Sequence, residues 1–210
     1  MIEKLGLWWN RFKTRRKMNR VFSRGEDPYR YRSSPYELAR LEAMSGALGA
    51  RSWRSALEVG CAEGAFTERL ASRAGELTAI DISGVALARA RARIAPGGAQ
   101  FVEADIRDWS PADGARFDLI VLGDVLYYLD KPMVAEAFKK TFHRIAGWLS
   151  AGGRLILAHG FAGPVELAHR RSFRERFEAL GLRLVDERII DGGPSAGGVS
   201  CLLSVLEAAS

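Results

Sequence analysis

Three carboxylates stand at the ends of successive short apolar runs. Glu58 lies in the stretch ALEVGCAEG, just before Gly60 and Gly64. Asp81 follows Gly60 by 21 residues at the end of a second apolar run, and Asp105 follows 24 residues later. If the runs are parallel strands, the three acids meet at the carboxyl edge of one sheet, where open α/β sheets bind ligands. A strand, a glycine turn that opens a helix and an acid at the next strand tip together indicate a nucleoside-binding pocket.

The glycine turn favours a particular charge on the ligand. Gly60 allows a sharp turn after the strand, and Gly64 allows the start of the helix to lie close to a ligand. The positions between them are Cys61, Ala62 and Glu63. A glutamate there would add negative charge beside a diphosphate. The turn therefore favours a cofactor with an amine over one with a pyrophosphate.

The two later acids have separate expected roles. Asp81 would accept hydrogen bonds from ribose hydroxyls. Asp105 would accept from an adenine amino group, with Ile106 against the ring. A solvated strand-end acid or a helix cap remains the alternative for Asp105.

Five stretches in order resemble class I S-adenosylmethionine-dependent methyltransferases: ALEVGCAEG, TAIDIS, EADIRDW, FDLIVLGDVLYYL and GGRLILAH. With DPYRYRSSPYELAR added, the chain is similar to the nodulation protein S group, which are N-methyltransferases acting on the amine of a chitooligosaccharide. The resemblance implies S-adenosylmethionine as cofactor, and Cys61, Ile82 and Gly123 complete the expected cofactor-binding set. Ala62 replaces the middle glycine of the family pattern, Gly123-Asp124 stands where a glutamate is usual, and the basic leader is extra.

The end of the fourth apolar run carries the candidate reacting groups. Methyl transfer from a sulfonium is an in-line displacement, so the enzyme mainly positions the acceptor and excludes water. Asp124 could orient an amine, take its proton and stabilise the cation formed. Tyr127 and Tyr128, on the same loop, would supply aromatic walls and a hydroxyl, and His159 an acid/base group. Helix capping for Asp124, core packing for the tyrosines and a structural role for His159 remain open.

The family resemblance also implies a lid over the methionine part of the cofactor. Its residues would be Tyr29, Tyr31, Tyr36 and Arg40, upstream of the first strand. We expect Tyr29, Tyr36, Arg40 and Tyr128 to face the substrate or the lid.

The hydrophobic pattern predicts an α/β fold with a doubly wound, mostly parallel seven-stranded sheet. The expected parallel strands are 56–59, 77–81, 99–103, 117–123 and 154–158, and helical patterns fill 65–74, 84–94, 132–149 and 164–180. A helix should begin at Pro35, with Ser34 as its cap. Two strand-like segments around a glycine-rich loop at 192–198 predict a C-terminal antiparallel hairpin.

The basic character is concentrated in a predicted leader, residues 1–26, ahead of a methyltransferase domain at 27–210. Residues 1–32 have a formal charge of +7, and the remainder has −1. Ile2, Leu5, Trp9 and Phe12 recur at helical spacing, a pattern suited to an anionic membrane surface or a partner protein. The alternatives are disorder of this segment, or packing of Trp8, Trp9 and Phe12 on the body of the enzyme. Removing residues 1–24 should abolish binding to anionic vesicles and spare cofactor affinity.

Composition limits the remaining function classes. We expect a cytoplasmic protein, peripheral at the inner membrane surface at most, since the sequence has no secretory pattern and no run long enough to span a bilayer. Two cysteines make no disulfide framework or metal cluster. The favoured partner is a small-molecule acceptor, with O-methylation as the alternative. An RNA methyltransferase is disfavoured because GDVLYY lacks the paired prolines of adenine-specific enzymes, and a non-catalytic cofactor-binding scaffold also remains open.

Overall fold

The computed structural model describes residues 2–112, 114–193 and 197–209. The predicted loop at 192–198 falls partly outside these ranges, as do Met1 of the leader and the side chains of residues 2–4. The helices are α1 (Ile2–Ser23), α2 (Pro35–Ala47), α3 (Ala65–Ala71), α4 (Gly84–Arg93), α5 (Leu126–Leu129), α6 (Ala135–Trp148) and α7 (Gly163–Glu178), with a 3₁₀ turn at Pro132–Val134. The strands are β1 (Trp53–Val59), β2 (Ala74–Asp81), β3 (Gln100–Glu103), β4 (Phe117–Gly123), β5 (Leu149–Phe161), β6 (Arg183–Ile190) and β7 (Ser200–Glu207).

The strands form one seven-stranded sheet in the order β3-β2-β1-β4-β5-β7-β6. The first five strands are parallel, and β7 runs antiparallel to both β5 and β6. The predicted fold class and the antiparallel C-terminal pair are confirmed. The insertion of β7 between β5 and β6 has no counterpart in the sequence prediction.

The sheet register aligns the tips that carry the candidate residues. Val59 at the end of β1 lies beside Ile80 of β2 and Leu122 of β4. The central strands are nearly continuous apolar runs because helices cover both faces. One core cluster packs α6 and α7 against the sheet, and a second packs α2 and α3 on the other face. This packing leaves the carboxyl edge open for a site.

Local sequence explains where α2 begins. Pro35 occupies its first turn, and the Ser34 hydroxyl accepts a hydrogen bond from the backbone N–H of Glu37 at 3.4 Å. The cap and the start of the helix are therefore as predicted.

The two halves of α1 have different environments. In the second half, Met18 and Phe22 are buried and pack against Ala86 of α4. In the first half, Trp8 and Trp9 are exposed, and the Trp8 ring stacks on Phe12 at 5.8 Å between centroids. Every described helix is too short or too polar to cross a bilayer.

Candidate active site

A cavity opens at the carboxyl edge of the sheet, where β1 to β4 end. Its void volume is ≈ 820 Å³, including space that is open to solvent. Its walls include many of the predicted residues, namely Gly60, Asp81, Ile82, Asp105, Ile106, Gly123, Asp124, Tyr127, Tyr128 and Tyr29. The structure therefore gathers both the cofactor and the acceptor candidates at one place.

The turn after β1 depends on left-handed backbone conformations. Gly60 has φ 82°, and a Cβ there would lie 2.6 Å from the carbonyl oxygen of Gly123, as well as against Val125. Ala62, which replaces the middle glycine, also adopts a positive φ of 49°. The turn brings the Ala62 N–H to the Oδ2 of Asp81 at 3.0 Å. A side chain at position 60 would therefore clash with the end of β4 and with Val125, which explains the glycine.

Asp81 is fixed by backbone donors and lines the cavity. The Ser83 N–H donates to its Oδ1 at 2.8 Å, and Ala62 donates to its other oxygen. Burial raises the pKa of the Asp81 carboxyl, while these hydrogen bonds act in the opposite direction. Each oxygen keeps further acceptor capacity, which suits the predicted contact with ribose hydroxyls.

Asp105 is held by the residue two positions along. The Arg107 guanidinium donates to Asp105 through Nε at 2.9 Å and through Nη2 at 2.6 Å. An adenine amino group would therefore share an oxygen that already accepts a hydrogen bond. Ile106 lies buried between these two residues in the sequence and lines the same cavity. The adenine contact of Asp105 stays a prediction.

A smaller cavity of ≈ 350 Å³ adjoins the first and shares part of its lining, since Gly60, Gly123 and Asp124 line both. Glu58 and Cys61 line it and are buried. The Thr67 hydroxyl donates to Glu58 at 2.7 Å, and burial raises the pKa of Glu58 to about 7. Burial also raises the pKa of the Cys61 thiol, which stays protonated.

Asp124 is clamped by groups from distant parts of the chain. The Gly160 N–H donates to its Oδ1 at 2.7 Å, and Arg40 of α2 pairs with its Oδ2 at 3.1 Å. Burial would lower the pKa of the Arg40 guanidinium, but Asp124 and Glu37 raise it well above its usual range. Asp124 also has a positive φ of 52°, which is uncommon for a residue other than glycine. Its side chain remains one-third exposed, so a ligand can approach it.

The tyrosines form one wall beside Asp124. Tyr127 and Tyr128 belong to α5 rather than to the predicted loop. The Tyr127 hydroxyl donates to Asp124 Oδ1 at 3.2 Å, and Tyr128 shares a side-chain hydrogen bond with Tyr29. Burial is the main cause that raises the pKa of both Tyr127 and Tyr29, so these hydroxyls remain donors at neutral pH.

Two predicted residues occupy different positions from those expected. His159 is buried beneath the cavity rather than in its lining, and its Nε2 accepts from the Leu126 N–H at 3.5 Å. Burial lowers its pKa to about 4, so the ring is neutral at pH 7. Tyr36 lies within the second core cluster rather than in the described lining of either cavity, whereas Arg40 lines the smaller one. The placement of His159 at the open edge is therefore corrected, and the lid role of Tyr36 stays a prediction.

Sequence reasoning missed a group of contacts that two residues of α7, His169 and Arg170, make with the wall of the site. Arg170 donates from Nε to the Gly160 carbonyl at 2.8 Å, and its guanidinium lies 4.3 Å from the Tyr127 ring centroid. His169 joins Arg170 to Asp130, the residue that follows α5, with both contacts at 2.7 Å. No local motif marks these residues, because their partners lie in other elements. The cavity lining on α1, formed by Thr14, Met18 and Phe22, was also missed.

Comparison with known proteins bears directly on this site. The family model described as nodulation protein S (NodS) matches residues 15–169. The chain belongs to the nodulation protein S family. The predicted family is thereby confirmed.

Individual members of the family agree with this assignment. Nodulation protein S of Sinorhizobium fredii is 37% identical over 133 residues, which cover 62% of this chain. The matched region spans 59% of the length of that protein. The Azorhizobium caulinodans nodulation protein S is 32% identical over 86% of both chains. The crystal structure of the N-methyltransferase NodS from Bradyrhizobium japonicum WM9 in complex with S-adenosyl-L-homocysteine has a TM-score of 0.76 at 27% identity, and covers 94% of this chain and 99% of that one.

Proposed function

We propose that the protein transfers a methyl group from S-adenosylmethionine to an amine nitrogen of a small polar acceptor, an amino sugar or oligosaccharide in the first instance. The observation that carries this proposal is the position of Asp124, whose carboxylate adjoins both cavities at the sheet edge. Family membership and the product-bound NodS structure support the choice of cofactor.

The residues present fit such a cofactor. The cavity is lined both by the tight turn at Gly60, where a Cβ would clash with Gly123 and Val125, and by the carboxylate of Asp81. Asp81 would hold the ribose, Asp105 with Ile82 and Ile106 the adenine, and Glu58 with Cys61 and Arg40 would surround the methionine end. When bound, S-adenosylmethionine would supply an electrophilic methyl group on a positively charged sulfur.

Asp124 would act on the acceptor. An amine that attacks carbon must have lost a proton, and it becomes positively charged as the new bond forms. A carboxylate that accepts an N–H hydrogen bond both orients the amine and stabilises that charge. Arg40 pairs with Oδ2 of Asp124 at 3.1 Å and holds the carboxylate in place for these two roles.

The aromatic side chains would complete the acceptor pocket. The faces of Tyr29, Tyr127 and Tyr128 are electron-rich surfaces that favour a positive charge nearby. They also exclude water from the reacting atoms. His159, neutral and buried behind Tyr127 at 6.1 Å between ring centroids, would support this wall without exchanging a proton with the acceptor.

A matched pair of acceptors tests the reaction. The protein is incubated with methyl-labelled S-adenosylmethionine and a chitooligosaccharide that has one free amine, or the same oligosaccharide after N-acetylation. We expect label only in the free amine. Equal labelling of both would instead indicate O-methylation, and labelling of RNA alone would contradict the proposal. Absence of transfer to a broad amine panel, with cofactor binding intact, would favour a scaffold.

The role of Asp124 is tested by Asp124→Asn, which keeps the shape of the side chain. We expect turnover to fall at least about 100-fold, while affinity for S-adenosylhomocysteine changes less than about threefold. Asp118→Asn, at the opposite end of β4, is the control. Unchanged turnover in Asp124→Asn would exclude it as the acceptor carboxylate.

We further propose that the exposed half of α1 docks on an anionic membrane surface. Trp8, Trp9 and Phe12 form an exposed, mutually stacked group, and Lys13 lies 4.8 Å from the Trp9 ring centroid. Exposed aromatic side chains beside cations suit an interface with acidic headgroups.

Sedimentation with phosphatidylglycerol-containing vesicles tests this surface, with phosphatidylcholine vesicles as the neutral comparison. We expect the double variant Trp8→Ser/Trp9→Ser to lose binding to the anionic vesicles. Leu38→Ser, at an exposed apolar position on α2, should retain it. Equal binding by all three proteins, or no binding by the parent chain, would overturn the membrane proposal.

A further inference from the structure

Strand β5 extends beyond its neighbour β4 at the edge of the sheet that carries the site. The last residue of β4, Gly123, lies beside Ala158, and Gly160 lies further along β5, past this last pairing. Two side chains take the place of the strand that has ended. The Gly160 N–H donates to Oδ1 of Asp124 at 2.7 Å, and the Gly160 carbonyl accepts from Nε of Arg170 at 2.8 Å. Both backbone groups of Gly160 are thereby satisfied by side chains of the site.

Arg170 also supports a second donor to Asp124. The Tyr127 hydroxyl donates to the same Oδ1 at 3.2 Å. The Arg170 guanidinium lies 4.3 Å from the centroid of the Tyr127 ring, a cation–π contact that restricts the position of the ring. One buried arginine therefore contacts both Gly160 and Tyr127, the two described donors to this carboxylate oxygen.

The remaining donors of Arg170 fix its own position. Nη1 donates to Nδ1 of His169 at 2.7 Å, and Nη2 lies 3.7 Å from the carboxylate of Glu166. Because a guanidinium can only donate, Nδ1 of His169 is the acceptor and the ring proton lies on Nε2. That N–H donates to Asp130, the residue after α5, at 2.7 Å. His169 therefore ties Arg170 to the end of the helix that carries Tyr127.

Arg170 lies behind the residues that face the ligands. It is absent from the described lining of both cavities, whereas Asp124 and Tyr127 line the larger one. We propose that Arg170 is a positioning residue that sets the direction of the Asp124 carboxylate through Gly160 and Tyr127, and that His169 holds Arg170 in this arrangement. The inference rests on the proposed function, in which Asp124 accepts the N–H of the attacking amine.

A double-mutant cycle on methyl transfer to the free-amine chitooligosaccharide tests whether Arg170 acts through Asp124. Arg170→Gln removes the charge over Tyr127 and the fork that joins Gly160 to His169. We expect kcat to fall about 10- to 100-fold in the otherwise unchanged chain, but less than about threefold when Asp124→Asn is already present. Equal losses in the two backgrounds would overturn the inference. An unchanged kcat in Arg170→Gln, while Asp124→Asn loses turnover, would also overturn it and would leave the proposed function standing.

Two further variants separate this role from a general effect on α7. Arg171→Gln, at the next position of the helix, loses an exposed side chain that pairs with Glu187, and should keep the parent turnover. Arg170→Lys keeps a cation beside Tyr127 and a donor for the Gly160 carbonyl, so its kcat should lie within about fivefold of the parent. Losses in either variant as large as that in Arg170→Gln would contradict the inference. Calorimetry with S-adenosylhomocysteine, in which all three variants should bind like the parent, shows that each is folded.

Amide exchange gives a second measurement that does not depend on turnover. Because the Gly160 N–H donates to Asp124, Arg170→Gln should speed its exchange at least about tenfold, as measured by NMR. The amide of Ile156, in the middle of β5, should change less than about twofold. Unchanged exchange at Gly160 would overturn the inference. If the parent chain transfers no methyl group, the proposed function fails, and exchange at Gly160 still decides whether Arg170 positions the carboxylate.

Discussion

The two ends of the open sheet edge hold their carboxylates in different ways. At the cofactor end, Asp105 is held by Arg107, two residues along, and Asp81 by Ser83 and by the turn of the neighbouring strand. At the acceptor end, Asp124 is held by Arg40 from α2 and by Gly160 from β5.

Because of this difference, substitutions at the two ends should affect ligand affinity and protein stability to different extents. Asp81 is held by nearby backbone N–H groups, so it can be altered with little effect on the packing of distant elements. Asp124 belongs to a cluster that ties α2, β4 and β5 together, so its partners serve the fold as well as the reaction. Substitutions of Asp124 and its partners should therefore reduce stability, and substitution of Asp81 should mainly reduce affinity.

Arg40→Ala should have the largest effect on stability. Arg40 is buried and pairs with both Glu37 and Asp124, so its loss leaves two carboxylates without their cation. We expect the free energy of unfolding to fall by about 3–5 kcal/mol. Urea denaturation measures it, with Arg69→Ala as the control because the Arg69–Glu42 pair is largely exposed and should contribute less than about 1 kcal/mol. Similar losses in the two variants would contradict the stabilising role of the acceptor-end cluster.

Glu58→Gln should show the next largest effect, and it depends on pH. The pKa of Glu58 is raised from 4.5 to about 7 by burial, so the folded chain favours the protonated carboxyl. The contribution of this protonated carboxyl to the free energy of unfolding is complete below pH 4.5, and it is lost as pH rises through about 7. The variant lacks it, so it should match the parent at low pH and exceed it by up to about 3 kcal/mol at pH 8.

Unfolding free energies between pH 4 and pH 8 check this expectation. Glu76→Gln, at the exposed start of β2, should run parallel to the parent over the whole range. A constant offset for Glu58→Gln would show that its carboxyl is not the source of the pH dependence.

The same contrast explains what the sequence could predict. Asp81 and Asp105 end apolar runs, and strand tips of a parallel sheet share an edge, so local pattern was sufficient to bring them together. The Arg40–Asp124 pair required the packing of α2 against the sheet, which no spacing encodes. The insertion of β7 is another long-range outcome. The helical spacing in the leader predicted α1, but did not reveal that Met18 and Phe22 face the cofactor cavity.

Asp81→Asn tests the cofactor end of the comparison. The amide keeps one acceptor oxygen but replaces the other by a donor, so either Ala62 or Ser83 loses a partner and the charge-assisted contact with ribose weakens. We expect affinity for S-adenosylhomocysteine to fall about 10- to 100-fold in calorimetry, with a much smaller loss of stability than in Arg40→Ala. A stability loss equal to that of Arg40→Ala, with affinity preserved, would reverse the contrast between the two ends.

Ala62→Gly should have the smallest effect and tests whether the cofactor turn stores local strain. Ala62 has φ 49°, a conformation that costs a residue with a Cβ about 1–2 kcal/mol, whereas glycine adopts it freely. The greater freedom of glycine in the unfolded chain offsets part of this relief, so we expect a gain of less than about 1 kcal/mol in thermal unfolding. Ala65→Gly, at the first residue of α3, is the control and should destabilise by about 0.5–1 kcal/mol. If both glycine variants lose the same stability, the turn is unstrained, and alanine at position 62 has no measurable cost to this end of the site.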